Sequence, residues 1–184
     1  MNTRYSKLLL AFLLLILIVP QVVADEPPGG RRLIRHWPNG KKKVDISVVN
    51  GEQHGPATSW YKNGLKMNEG QYNRGKKDGR WTGWFEDGSR IYEIHFKNGV
   101  FDGPAVSGGN LDAGIKEAQG NYKNGKKVGL WTMYHVFTKN NPKKYETHWK
   151  NGKKDGLMTE WDKDGNKIEE VLYKDGGIIS RKEF

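Results

Sequence analysis

Three stretches of this 184-residue chain set a lysine pair beside aromatic residues. They are YNRGKKDGRW from Tyr72 to Trp81, YKNGKKVGLW from Tyr122 to Trp131 and WKNGKKDGLM from Trp149 to Met158. Ammonium groups next to indole and phenol rings can attract anions and stack on flat partners. They cannot by themselves make and break bonds. The chain has no cysteine, so thiolate chemistry and disulfides are both excluded. The five histidines, His36, His54, His95, His135 and His148, have no metal-ligand spacing and no companion carboxylate cluster. No G-x-S-x-G, Walker or H-E-x-x-H pattern is present. The carboxylates are spread too evenly for an acid/base pair. The expectation is a non-enzymatic chain with no catalytic residue, no metal and no cofactor.

The lysines follow turn glycines: Lys41-Lys42-Lys43, Lys76-Lys77, Lys126-Lys127 and Lys153-Lys154. Stacked in register, they would form a basic stripe along one edge. The plainer role of such lysines is to keep solvated turns from aggregating. Trp60, Trp84, Phe137 and Trp161 recur four residues before a second set of turn positions, and Trp81 and Trp131 stand two after the KKxG glycine. Aromatic ladders of this kind hold sheets together. A ladder left exposed would be an interface, since Tyr, Trp and Arg are the usual hot spots. Trp60, Trp84 and Trp161, with Trp81 and Trp131, are the candidate binding residues, and the first three are the ones to test. Alternating lysine and tryptophan also suits single-stranded nucleic acid, which export argues against.

Glycines define the elements that must position these groups. Gly51, Gly75, Gly99, Gly125, Gly152 and Gly176 form one set, here called hinges. Gly40, Gly64, Gly88, Gly114 and Gly165 form the second, with Asn141 in the missing place. Each second-set position precedes a hinge by 11 residues, and the return leg is 13 to 16. Asn is the commonest substitute where φ is positive, so the slot calls for a left-handed turn. Asn-Gly and Asp-Gly between apolar runs signal hairpins. The variable leg is expected to carry its insertions, VSGGNLDAG and HVFTKNNPKK, as loops. Three before each hinge stands an apolar residue, and six before it an acid or amide, so the two sets face opposite sides of a sheet. The predicted fold is all-β: one elongated, twisted antiparallel sheet of consecutive hairpins, about five and a half repeats of 24 residues and about eleven strands.

Arg4 and Lys7, the apolar run Leu8–Val19 and the small residues before Asp25 have the layout of a secretory signal peptide over 1–24. The alternative is an uncleaved membrane anchor. A linker at 25–34, a repeat domain at 35–176 and a tail at 177–184 complete the expected organisation. The chain is formally +10, and without residues 1–24 it has 29 Lys and Arg against 21 Asp and Glu, or +8. That excess favours anionic partners. A periplasmic, envelope-associated or extracellular location follows from the signal.

The recurring Y-K-N-G-K-K-x-G-x-W, then an x-D-G turn and E-x-x-Y-K-N-G, resembles the MORN repeat variant and, within it, the YwqK-type antitoxins. The resemblance covers about residues 35 to 176. It implies the hairpin-repeat fold and a role in neutralising a partner protein by direct binding. Adhesion to an anionic envelope polymer or lipid is the other function considered. The exported protein should begin at Asp25. Intact mass of protein recovered from the envelope fraction tests this, and retention of residues 1–24 would indicate an anchor.

Overall fold

The computed structural model describes residues 30–136, 138 and 140–184. The segment read as a signal peptide, most of the segment read as linker and Phe137 lie outside them. The described residues form thirteen strands: β1 Arg31–His36, β2 Lys42–Val49, β3 Glu52–Trp60, β4 Lys66–Asn73, β5 Lys76–Trp84, β6 Arg90–Lys97, β7 Val100–Asn110, β8 Ile115–Lys123, β9 Lys126–Tyr134, β10 Lys143–Lys150, β11 Lys153–Trp161, β12 Lys167–Lys174 and β13 Gly177–Glu183. All belong to one antiparallel sheet whose strand order is the chain order. The sheet is longer than the repeat count implies. β1 begins inside the segment read as linker, and β13 occupies most of the segment read as tail.

The hinges are tight two-residue turns. Asn50-Gly51, Arg74-Gly75, Asn98-Gly99, Asn124-Gly125, Asn151-Gly152 and Asp175-Gly176 have positive φ at both residues, the signature of type I′ turns matched to strand twist. The second-set turns are different. In the first, Gly40 N–H donates to Trp37 O while Trp37 N–H donates to Lys41 O, and only the glycine is left-handed; the longer turn before Pro142 has Asn140 left-handed as well, at φ 64°. The Gly40 turn is a three-residue loop with a left-handed final position. Asn141 occupies that position at φ 45°. Its side chain also accepts from Lys116 N–H at 2.7 Å and donates to Lys116 O at 2.9 Å, bonds that glycine could not supply. The first insertion is a correction: residues 106–110 extend β7 as strand, with two register shifts, and the loop shrinks to 111–114.

Each turn is bonded to the next copy along the same rim. Hinge N–H groups of Gly75, Gly99, Gly125, Gly152 and Gly176 donate to carbonyls of Gln53, Lys77, Phe101, Lys127 and Lys154 at 2.8–3.0 Å. The acid three residues after one hinge glycine caps the following hinge: Asp102 accepts from Asn124 N–H at 3.0 Å and Asp155 from Asp175 N–H at 3.2 Å. These backbone bonds, and then the neighbouring lysines, hold both carboxyls below the ordinary carboxylate range.

The core lies on one face, here the ring face. Val44, Ile46, Ala57, Trp81 and Phe96 are buried there, with Tyr72, Tyr92, Ile94 and Phe101 packed against them. A continuous line of rings runs Tyr72, Trp81, Phe96, Phe101, Tyr122, Trp131, with centroids 4.9–6.4 Å apart. Trp81 lies flat on Gly70 and Trp131 on Gly120. In both places an added Cβ would stand 2.3 Å from the ring. Each indole N–H donates to a carbonyl, Gln71 O and Asn121 O, at 3.0 Å. Trp81 and Trp131 are therefore core, not interface.

Gly120→Ala should destabilise the protein by about 2 kcal/mol or more through overpacking against Trp131. Gly109→Ala, where the nearest atom would be 3.5 Å away, should change little. Urea unfolding of the two variants gives the comparison.

Candidate functional site

The acid face carries a row of residues that are directly paired across every strand boundary from β2 to β13. The row runs Asp45, Thr58, Glu69, Thr82, Glu93, Val106, Gln119, Thr132, Glu146, Thr159, Glu170, Lys182. Acids or amide come from the even strands and threonines from the odd ones. Val106 of β7 and Lys182 of β13 depart from it. Three residues before each even-strand member stands a cation that binds it. The pairs are Lys42–Asp45 at 3.2 Å, Lys66–Glu69 at 2.7 Å, Arg90–Glu93 at 3.7 Å, Lys143–Glu146 at 2.7 Å and Lys167–Glu170 at 2.6 Å. Lys116 donates to Gln119 at 3.0 Å.

The same lysines lie over rings on the following strand, or just past its end: Lys42 with Trp60, Lys66 with Trp84, Lys116 with Tyr134, Lys143 with Trp161 and Lys167 with Phe184, at 5.0–5.9 Å from the centroids. Trp60, Trp84 and Trp161 thus form a half-buried row on this face. The fourth member differs. Register places Tyr134 opposite Lys143, because the insertion after β9 displaces Phe137 from that position in the chain. At the equivalent point of β7 stands Gly108, paired with Lys116, so the ring row is interrupted there. The carbonyls of the row are held by side chains of the preceding turn: Trp37 Nε1–H to Trp60 O at 3.0 Å, Tyr61 Oη–H to Trp84 O at 2.7 Å, and His135 as its Nε2–H tautomer to Trp161 O at 2.9 Å. The lysine-to-acid spacing is visible in the sequence as K/R-x-x-D/E/Q in every repeat.

The lysine pairs do not form one stripe. Lys41 and Lys42 follow a second-set glycine, and those turns lie on the rim opposite the hinges. On the hinge rim, Lys76, Lys126 and Lys153 are exposed, and their stems rest against Gly99, Gly152 and Gly176 of the next turn. Their partners point to the ring face. Lys77 sits 4.1 Å from the Trp81 ring and 5.2 Å from Phe96, and Lys127 4.1 Å from Trp131 and 5.0 Å from Trp149. Lys154 lies 4.6 Å from Tyr173. Alternation along a strand splits any adjacent pair between faces.

A further feature was not anticipated. Leu130, Leu157 and Leu172 are 39–46% exposed. With His148 they line one row of the acid face across β9–β12. The equivalent positions in the first half are Pro56, Gln71, Arg80, His95 and Pro104. A shallow hollow of about 320 Å³, lined by Glu93, His95, Val106, Gln119, Leu130 and Thr132, adjoins this row. Asp112 and His135, one from each insertion, bind separate neighbours, Arg90 and Trp161. Among the described residues no group of three His, Cys, Asp or Glu is placed to hold a metal.

Burial lowers the Lys77 pKa to about 8 from 10.5. Between these values the unfolded chain binds more protons, so stability should rise with pH. Burial, then the charges of Tyr61 and Tyr72, push Tyr92 up to about 12 from 10.0. Above pH 10.0 the unfolded chain ionises first, and stability should fall. Urea unfolding from about pH 7 to about pH 11 should show a maximum near pH 10, and Lys77→Met should flatten the rising limb.

Two segments of the chain, residues 77–98 and 154–175, match the MORN repeat variant. No curated protein matches the chain. The two matches fall on structurally equivalent units, β5 with β6 and β11 with β12, each running from the ring-face lysine to the residue before a hinge glycine. The chain therefore carries MORN-variant hairpin repeats.

Proposed function

We propose that this chain is an exported, non-enzymatic repeat protein whose sheet is a binding surface for another protein, with an immunity-like role of neutralising that partner. The observation that carries the reading is the exposed leucine row of β9–β12. Repeats stacked in register should show the same surface throughout. Here one row changes from Pro, Gln, Arg and His to Leu, His, Leu and Leu halfway along the sheet. Exposed apolar positions rimmed by polar groups mark protein contact sites. The neighbouring hollow offers a place for a side chain of the partner, and fully desolvated anchors dominate interface energy.

Adhesion to an anionic polymer or lipid draws less support. The hinge rim keeps three exposed lysines from the pairs, while Lys77, Lys127 and Lys154 are turned to the ring face, Lys42 is joined to Asp45 and Lys41 donates to Asn63 O. Charge-driven adhesion weakens steeply with ionic strength, whereas an apolar interface persists.

The exported chain, used as bait against its own envelope extract, should retain one protein through a high-salt wash. Leu130→Lys and Leu157→Lys should release it, and Lys126→Gln should not. Retention of polyanion or lipid alone, lost at high salt, would replace this reading with charge-driven adhesion.

A further inference from the structure

We propose that the ring row of the acid face is a glycan platform. Trp60 with Trp84, and Tyr134 with Trp161, each take a short stretch of neutral, extended β-linked polysaccharide laid across the strands. The site lies along the second-set rim, away from the leucine row, and is independent of the protein-binding reading.

Spacing is the first argument. The rings occur on alternate strands, β3 and β5, then β9 and β11. Strands lie about 4.8 Å apart, so neighbouring rings recur at roughly 9.6 Å. One sugar of an extended β-linked hexose chain occupies about one strand spacing. Two sugars therefore carry the chain from ring to ring, and the same pyranose face meets each indole. Sheet twist turns successive rings by about 40°, which limits each platform to a short oligosaccharide. Gly108 separates the two platforms.

Charge is the second. Every ring-flanking cation except Lys116 is neutralised by the carboxylate three residues on, and Lys116 is bound to the Gln119 amide. A polyanion would have to break those pairs to be held. A hydroxyl-rich neutral chain need not: it can donate to Glu69 and Glu146 and accept from Lys66 and Lys143 while they stay paired. Thr58 and Thr159, directly paired with Glu69 and with Glu146, offer hydroxyls that do both. Flat aromatic area with a few fixed polar groups at its margin is the composition of a small-ligand site.

Anchoring is the third. The backbone under Trp60, Trp84 and Trp161 is fixed by the side chains of Trp37, Tyr61 and His135. The backbone that carries these rings is thus fixed before any ligand arrives, which lowers the ordering cost of binding.

The full chain is titrated with cellohexaose, xylohexaose, mannohexaose and chitohexaose, followed by calorimetry and tryptophan fluorescence, with polygalacturonate as the anionic comparison. At least one neutral oligosaccharide should bind with little dependence on salt. Trp84→Ala should weaken binding by about tenfold or more, while Trp84→Phe keeps most of it. Trp161→Ala reads the second platform should the first variant fail to fold. Binding of none of the four, or of polygalacturonate alone and only at low salt, overturns the proposal. So does neutral-glycan binding unchanged in folded Trp84→Ala and Trp161→Ala.

Discussion

A sheet one layer thick has no opposite layer on which to bury its apolar face. This protein meets that constraint by laying tryptophan rings on glycine. Trp81 and Trp131 are each 4% exposed although, among the described residues, no second sheet or helix covers them. They reach that burial because Gly70 and Gly120 leave bare backbone beneath the ring, and because aromatic side chains of the flanking strands close around the edges. A side chain at either glycine would lift the indole off the sheet and also break its N–H bond to the carbonyl below. The two roles of glycine in this chain are thus distinct. In the turns it supplies a left-handed backbone, and in Gly70 and Gly120 it supplies empty space.

The rest of the structure propagates that unit sideways. Hinge turns stack through backbone bonds, second-set turns through the side chains of Trp37, Asn39, Tyr61 and Asn63, and the acid face through its alternating threonine and carboxylate row. None of these contacts is strong alone. Exposed ion pairs of this kind contribute a fraction of a kcal/mol each. Repetition makes each strand's surroundings nearly the same, so a departure from the pattern stands out. Val106–Gln119, Gly108 and the leucines of β9–β12 are such departures, and they cluster in the second half of the sheet.

Much of the fold was legible in the sequence because positive φ is a demand that few residues meet. The alternating glycines, with Asn141 among them, gave turn positions and hence strands, and the parity of Tyr72 and Glu69 gave the two faces. What was hidden depended on bulges. Counting by twos places Lys66 and Glu69 on opposite faces, but the extra residue Met67 reverses the parity and brings them together. The same one-residue slip recurs in each repeat, so the cation–carboxylate–ring grouping could not be read from alternation alone. Phe137 shared its spacing to the next turn with Trp60, yet the register selects Tyr134, because an insertion alters distance to the turn without altering strand pairing. The lysine stripe failed for a related reason: Gly40 belongs to the opposite rim from Gly75, and adjacent residues in an unbulged strand face opposite sides. The outermost strands were missed because a strand with a neighbour on one side only carries half of the usual apolar signal, as the fully exposed β13 shows.

Strand order that follows chain order has a kinetic consequence. Every pairing joins segments that are consecutive in the chain, so loop closure costs little entropy at each step and no strand must wait for a distant partner. A chain emerging with its N-terminus first can add one hairpin after another to a growing edge, each new strand templated by the last. Breakage runs the same way in reverse: loss of a terminal strand exposes another edge of the same kind, and the remaining sheet stays intact behind it.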